Sequence, residues 1–236
     1  MTRILALDTS VQTCSVALHD NGFVLARSQQ LAKGHSRLVL PMIDELLAEA
    51  GLLLGQLDAL ALTIGPGSFT GLRIGISVVQ GLAFGADIPV VSVSTLQTMA
   101  AGAIKRHSVR QQGTILPAFD ARMGEIYWGL YRNVGGKPVA CCADALNVPE
   151  AVGLTDDAVH GGVVTLGVGD GWQYACAFPV TAQTTQIECQ PSAQDLVILA
   201  LEKYAEGEAK PVEQLTPVYL RDTVSWKKRT HLRTQG

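Results

Sequence analysis

Charge and aromatic rings are scarce in this chain: Asp, Glu, Lys and Arg make up 17% of its 236 residues and Phe, Trp and Tyr only 6%. With 47% hydrophobic residues, that balance excludes a disordered, fibrous or coiled-coil chain and leaves a globular one. The five cysteines, Cys14, Cys141, Cys142, Cys176 and Cys189, are odd in number and contain no C-x-x-C pair. Neither a disulfide framework nor a zinc cage is expected from them. The histidines His19, His35, His107, His160 and His231 include no pair three or four apart, so none is expected to share a helix face as metal ligands. No stretch of about 18 residues is free of charge and strong polarity, which argues against a spanning helix. The opening M-T-R-I-L-A-L-D-T-S reaches Asp8 too soon for a signal peptide, and a cytoplasmic protein is expected.

Two chemical motifs are also missing. No Lys-Ser/Thr follows Gly71 in the glycine-rich run 65–71, so the run is not a Walker A loop. There is no G-x-S-x-G nucleophile elbow, and His35 beside Ser36 reads as a helix start rather than a catalytic pair, since adjacent helical residues face apart. The net charge of −3 argues against a general nucleic-acid binder. The charge is uneven, however. Residues 221–236 carry a local +4 from Arg221, Lys227, Lys228, Arg229 and Arg233 against Asp222. That tail is either a solvated end or a segment that touches RNA or an acidic partner, with Trp226 as a handle.

What is present reads as α/β. Residues 4–8 form an apolar run ending in an acid, and residues 14–19 and 23–27 flank Asn21-Gly22, a two-residue hairpin turn. Residues 35–50 have helical spacing and stop at Gly51, with Pro41 tolerable only near the first turn. A strand over 58–64, a helix over 69–85, a strand over 88–93 and a capping-box start at Ser94 follow. From residue 114 the opening recurs: a strand ending in Asp120, then strands over 125–132 and 137–140 around Gly135-Gly136. Residues 163–168 lead into Gly169-Asp170-Gly171, and Ser192 caps a final helix to about residue 205. A duplicated α/β domain is expected, with lobes at 1–106 and 107–220 and the basic tail after them.

Helix 69–85 is apolar all round with Arg73 as its only charge, and it carries small residues at steps of four, Gly71, Gly75, Gly81 and Gly85 among them. A helix on one sheet needs an apolar stripe of only about 100°. The helix is therefore either sandwiched within one domain or docked by its second face on another protein. Helix 35–50 adds more apolar residues than one face accommodates. The expected contact surface comprises His35, Leu38, Val39, Met42 and Leu46 on one helix and Phe69, Leu72, Arg73, Ile76, Val79, Gln80 and Ala83 on the other.

Five motifs carry a resemblance. They are Leu5-Ala6-Leu7-Asp8-Thr9-Ser10, His35-Ser36, the run from Gly65-Pro66-Gly67-Ser68 to Gly75, Asp120-Ala121-Arg122-Met123-Gly124-Glu125, and Pro217-Val218-Tyr219-Leu220-Arg221. In that order they resemble the signature of the bacterial TsaB (YeaZ) family. The resemblance implies the duplicated actin-like/Hsp70/sugar-kinase (ribonuclease H-like) fold. It also implies a role beside the paralogue TsaD and the ATPase TsaE in making N6-threonylcarbamoyladenosine in tRNA. Partners implied are TsaD, TsaE, a second copy of the chain when TsaD is absent, and tRNA indirectly or through the tail. Active members of the fold hold phosphates on glycine-rich turns. Here the turn after Asp8 has no glycine, and Arg122 and Met123 crowd the turn after Asp120. No cofactor is expected on this chain alone, with ATP or ADP at the interface with TsaE and TsaD. Asp8, Asp120, Gly169 and Gly171 are the weak nucleotide-site candidates. TsaD-like enzymes carry two histidines where Thr95 and Met99 align, so no metal is expected. The reading is a non-catalytic scaffold. Its rivals are an ATP-dependent small kinase and a metal-dependent peptidase.

Overall fold

The structure, a computed structural model, describes residues 2–30, 34–154, 159 and 162–221. The first sheet begins as a meander of β1 (Arg3–Asp8), β2 (Thr13–Asp20) and β3 (Phe23–Gln30). Asn21 and Gly22, with φ of 50° and 95°, make the tight turn that the right-handed strand twist favours. Then follow α1 (His35–Ala50), β4 (Ala59–Thr63), α2 (Phe69–Ala86), β5 (Val90–Val93) and α3 (Thr95–Arg106). The strand order is β3-β2-β1-β4-β5, with β1, β4 and β5 parallel. Gly51 closes α1 in the left-handed conformation at φ 65°. Pro41 lies well inside α1 rather than in its first turn, on the solvent side.

The second sheet contains β6 (Thr114–Arg122), β7 (Glu125–Trp128), β8 (Tyr131–Val134), β9 (Lys137–Ala140), β10 (Ala145–Asn147), β11 (Val163–Val168) and β12 (Thr181–Gln186). Its order is β10-β7-β6-β11-β12, with β8 paired to β6 and β9. The single strand expected over 125–132 is two strands in one register, broken at Gly129 and Leu130. Pro117 explains the break. Gly129 N–H donates to Pro117 O at 3.2 Å, but proline has no N–H to return the bond.

The chain crosses between its halves at the core. One face of the first sheet buries Leu5, Leu7, Val16 and Leu60 against α1 and α2. The opposite face presents Ala6, Ala17, Ala59 and Ala61, small enough for α4 (Ala193–Ala205) to approach with Leu196, Val197 and Ala200. So α4, from the second half of the chain, packs on the first sheet. Conversely α3, from the first half, packs with Leu96, Met99 and Ala103 on Ile115 and Phe119 of β6. The outer face of the second sheet is covered by Trp172 and Phe178, rings 4.8 Å apart and edge-on, next to a 3-10 segment rather than by a helix pair. Two interlocked sheets of this plan are the duplicated actin-like, ribonuclease H-like α/β fold.

Ser94 caps α3 by accepting from the N–H groups of Leu96 and Gln97, at 3.1 and 3.2 Å. The reciprocal half of the capping box is absent, because the Gln97 amide donates to Pro138 O instead. Among the described residues α2 alone has the length and apolarity of a membrane span, contrary to the expectation from sequence. Its inner residues Leu72, Ile76, Val79 and Ala83 are nevertheless buried on the first sheet. Val79→Asp should therefore unfold the chain rather than open an interface. A loss of at least about 3 kcal/mol in denaturant unfolding is expected, and a variant as stable as the parent would show that this face is not core.

Candidate functional site

Asp8 ends β1 and is fully buried. Its Oδ1 accepts from Ser10 N–H at 3.2 Å, from Ser10 Oγ at 2.6 Å and from the Thr63 hydroxyl. Its Oδ2 is buried with no hydrogen-bond partner among the described residues. Burial pushes this carboxyl above the ordinary aspartate range, against the opposing effect of those hydrogen bonds.

The turn that follows sits on the glycine-rich run. Ser10 O accepts from Ser68 N–H at 2.7 Å, and the Thr9 hydroxyl donates to Gly71 O at 2.8 Å. A Cβ on Gly67 would stand 2.6 Å from Ser10 O, and one on Gly75 2.5 Å from Thr9 Oγ1. A Cβ on Gly71 would collide with Thr9 O. These glycines thus admit the protein's own β1–β2 turn to the start of α2. Two of the amides there are engaged within the chain: Ser68 N–H by Ser10 O, and Gly71 N–H by the Ser68 hydroxyl at 3.2 Å. Thr9 and Ser10 fill the space between Asp8 and the first turn of α2. Val11 O continues the seating by lying 2.9 Å from His35 Nε2 at the head of α1, and the Thr13 hydroxyl bonds Gln190 at 2.6 Å.

In the second lobe Asp120 and Asp170 come together, since Asp120 N–H donates to Asp170 Oδ1 at 2.9 Å. Burial raises the Asp170 pKa, against the opposing effect of the hydrogen bond from Asp120 N–H. Asp120 also holds its own turn, accepting from Arg122 N–H at 2.8 Å. Gly169 and Gly171 do not border open space: a Cβ on Gly169 would meet Met99 Cε at 2.8 Å, and one on Gly171 would meet Ala118 Cβ at 2.8 Å. Trp172 plugs the same region and donates its indole N–H to Leu116 O at 2.8 Å. Thr95 and Met99 are wholly buried, and among the described residues no three His, Cys, Asp or Glu side chains cluster as metal ligands would.

The expected contact surface divides in two. Val39, Met42, Leu46, Leu72, Ile76, Val79 and Ala83 belong to the chain's own core, because the sheet takes that side of both helices. His35, Leu38, Phe69, Arg73 and Gln80 remain at least partly open. Beside them lie residues that the pattern did not single out: Ile74 and Val78 are half-buried, and Phe84 is 77% exposed. For Ile74 and Val78 the signal was present as an i to i+4 apolar pair beside the inner stripe, while Phe84 lies on another side of the helix. Ser36, Phe69, Thr70, Arg73, Ile74, Ser77 and Val78 line a shallow groove of about 480 Å³ between α1 and α2. The Arg73 guanidinium lies over the Phe69 ring at 3.9 Å.

Comparison with known proteins agrees with this geometry. The family model described as TsaD, tRNA N6-adenosine threonylcarbamoyltransferase, matches residues 27–228. The tRNA threonylcarbamoyladenosine biosynthesis protein TsaB of Escherichia coli K12 is 41% identical over 233 residues, covering 96% of this chain and 97% of that one. The chain belongs to the TsaB family. The TsaB protein of Haemophilus influenzae is 36% identical, with 95% and 96% of the two chains covered. The solved YeaZ of Pseudomonas aeruginosa has a TM-score of 0.86 at 40% identity, covering 93% of this chain and all of that one.

Two tests follow for this TsaB-family turn. Gly71→Ala should cost about 2–4 kcal/mol through the clash with Thr9. Gly81→Ala on the same helix, with nothing within 4 Å of its would-be Cβ, should add up to about 1 kcal/mol. Equal effects in paired thermal melts would contradict the seating. For Asp8 the sign follows from its raised pKa. Between the unfolded value near 3.8 and the higher folded value, the native state holds the proton that the unfolded state has lost. Unfolding free energy therefore falls as pH rises through that window, by up to about 1.4 kcal/mol per pH unit. Asp8→Asn should flatten that slope, and an unchanged profile would place the titration elsewhere.

Proposed function

We propose that this chain is a non-catalytic subunit of the machinery that makes N6-threonylcarbamoyladenosine in tRNA. It binds TsaD and helps recruit TsaE. The biosynthetic role rests on its family, whose members carry that role in their names. The observation that carries the non-catalytic part is the turn at Thr9 and Ser10. Where a phosphotransfer member of the fold needs free backbone amides, this chain puts its own carbonyls against the start of α2. ATP or ADP then belongs at the junction with TsaE and TsaD, not in this chain alone. The partner surface is the outer side of α1 and α2, where Leu38, Phe69, Ile74, Val78 and Phe84 stay exposed or half-exposed around Arg73. An apolar strip of this kind favours a protein partner over water. A second copy of the chain covers it when TsaD is absent. The basic tail supplies tRNA contact, and all of it beyond Arg221 lies outside the described residues. Work on tRNA places the protein in the cytoplasm.

Reconstitution of the modification from TsaD, TsaE, tRNA and substrates tests the assignment. Product should form with the chain and fall at least about tenfold without it, and a full rate in its absence would overturn the scaffold reading. Phe84→Asp, at a 77% exposed position on the outer side, should keep the melting temperature and lose co-purification with TsaD. Retained co-purification would move the interface.

A further inference from the structure

The motif 217–221 is absorbed by nothing above, yet it is the segment that joins the two lobes at their surface. At the first lobe, Val218 N–H donates to Ile64 O at 2.9 Å, and Val218 O fills the space beside Gly65, 2.5 Å from where a Cβ would stand. Tyr219 then lies against Phe69, ring centres 5.3 Å apart, and its hydroxyl accepts from Arg73 Nε at 3.3 Å. Two residues later Arg221 is in the second lobe. Its Nη2 pairs with Glu125 Oε2 at 2.6 Å and donates to Ala121 O at 3.1 Å, and Nη1 lies 3.0 Å from Met123 Sδ.

That second anchor grips a strained element. Arg122 and Met123, neither a glycine, hold φ of 68° and 60° in the β6–β7 turn, and Gly124 holds 78°. Left-handed positions of this kind are unfavourable for residues that carry a Cβ and persist only where the surroundings impose them. Arg221 imposes them from outside by capping the turn's carbonyls, while Asp120 does so from inside through Arg122 N–H. Meanwhile Tyr219 is 39% exposed, so whatever covers Phe69 and Arg73 must also press on it. A side chain in the partner surface and a clamp on a strained turn are thus two residues apart on one extended segment.

We propose that residues 217–221 are a latch between the lobes, through which a protein partner docked on Phe69, Arg73 and Tyr219 changes the conformation of the β6–β7 turn. The partner arm of this idea rests on the docking surface argued under the proposed function; the latch itself does not. Coupling of this kind is reciprocal, so the turn's state also feeds back on affinity for the partner.

Amide hydrogen exchange at residues 121–126 tests it, first in the free chain. Tyr219→Ala touches no described contact of the turn, yet should speed exchange there about tenfold, while Tyr219→Phe, which keeps the ring, should speed it less. Unchanged exchange in Tyr219→Ala overturns the latch. With saturating TsaD, exchange in the turn should shift in the parent chain and not in Arg221→Ala, where the clamp is gone. TsaD bound with no shift in the parent overturns the latch and leaves the docking surface standing. No TsaD binding at all sinks the docking surface, and the Tyr219→Ala result in the free chain then decides the latch.

Discussion

The seating of the β1–β2 turn on the first turn of α2 is the contact on which the rest of the molecule depends. Thr9 and Ser10 reach the helix only because Gly67, Gly71 and Gly75 present no Cβ. Once there, the turn holds α1 through His35, the 190 loop through Thr13, and the second-lobe core through Val11. The same few atoms decide the chemistry. Ser10 O and Thr9 O lie against the first turn of α2, and Asp8 is fully buried beneath them. A buried carboxyl with one unpartnered oxygen is costly, which is consistent with its upward shift in pKa.

The second constraint is the exchange of helices between the halves. Because α3 packs on the second sheet and α4 on the first, neither half buries its own apolar surface alone. Polar contacts reinforce the exchange. Asp144 accepts from Ser94 Oγ at 2.5 Å and Tyr131 Oη at 2.6 Å, tying the cap of α3 to the second sheet. Arg106 at the end of α3 meets Asp195 of α4 at 2.7 Å. Burial raises the pKa of both Asp144 and Tyr131.

The outer side of α1 and α2 is where the fold leaves apolar surface unspent. Among the described residues, nothing lies within 4 Å of where a Cβ of Gly81 or Gly85 would stand. That contrast with Gly71 and Gly75 divides one helix into an inner half shaped by the protein and an outer half available to a partner. The segment 217–221 borders that outer half and continues to Arg221 on the second lobe, which gives the surface a physical connection to the rest of the molecule.

Read locally, the chain itself determined most of the first half. The period of α1, the Asn21-Gly22 turn, Gly51 as a stop and the order of strands and helices all depend on neighbours a few residues apart, where spacing carries the information. The motifs around Asp8, Gly67 and Asp120 were legible as a family signature for the same reason. Tertiary structure alone decided which face of α2 is core, because a helix apolar on all sides gives periodicity nothing to distinguish Ile76 from Ile74. It alone decided that α4 crosses to the first sheet, that Pro117 splits the strand opposite it, and that the glycines at 67 and 71 receive Ser10 and Thr9. Each of those outcomes rests on contacts between residues dozens of positions apart, and a local pattern cannot encode which distant surface will fill a given space.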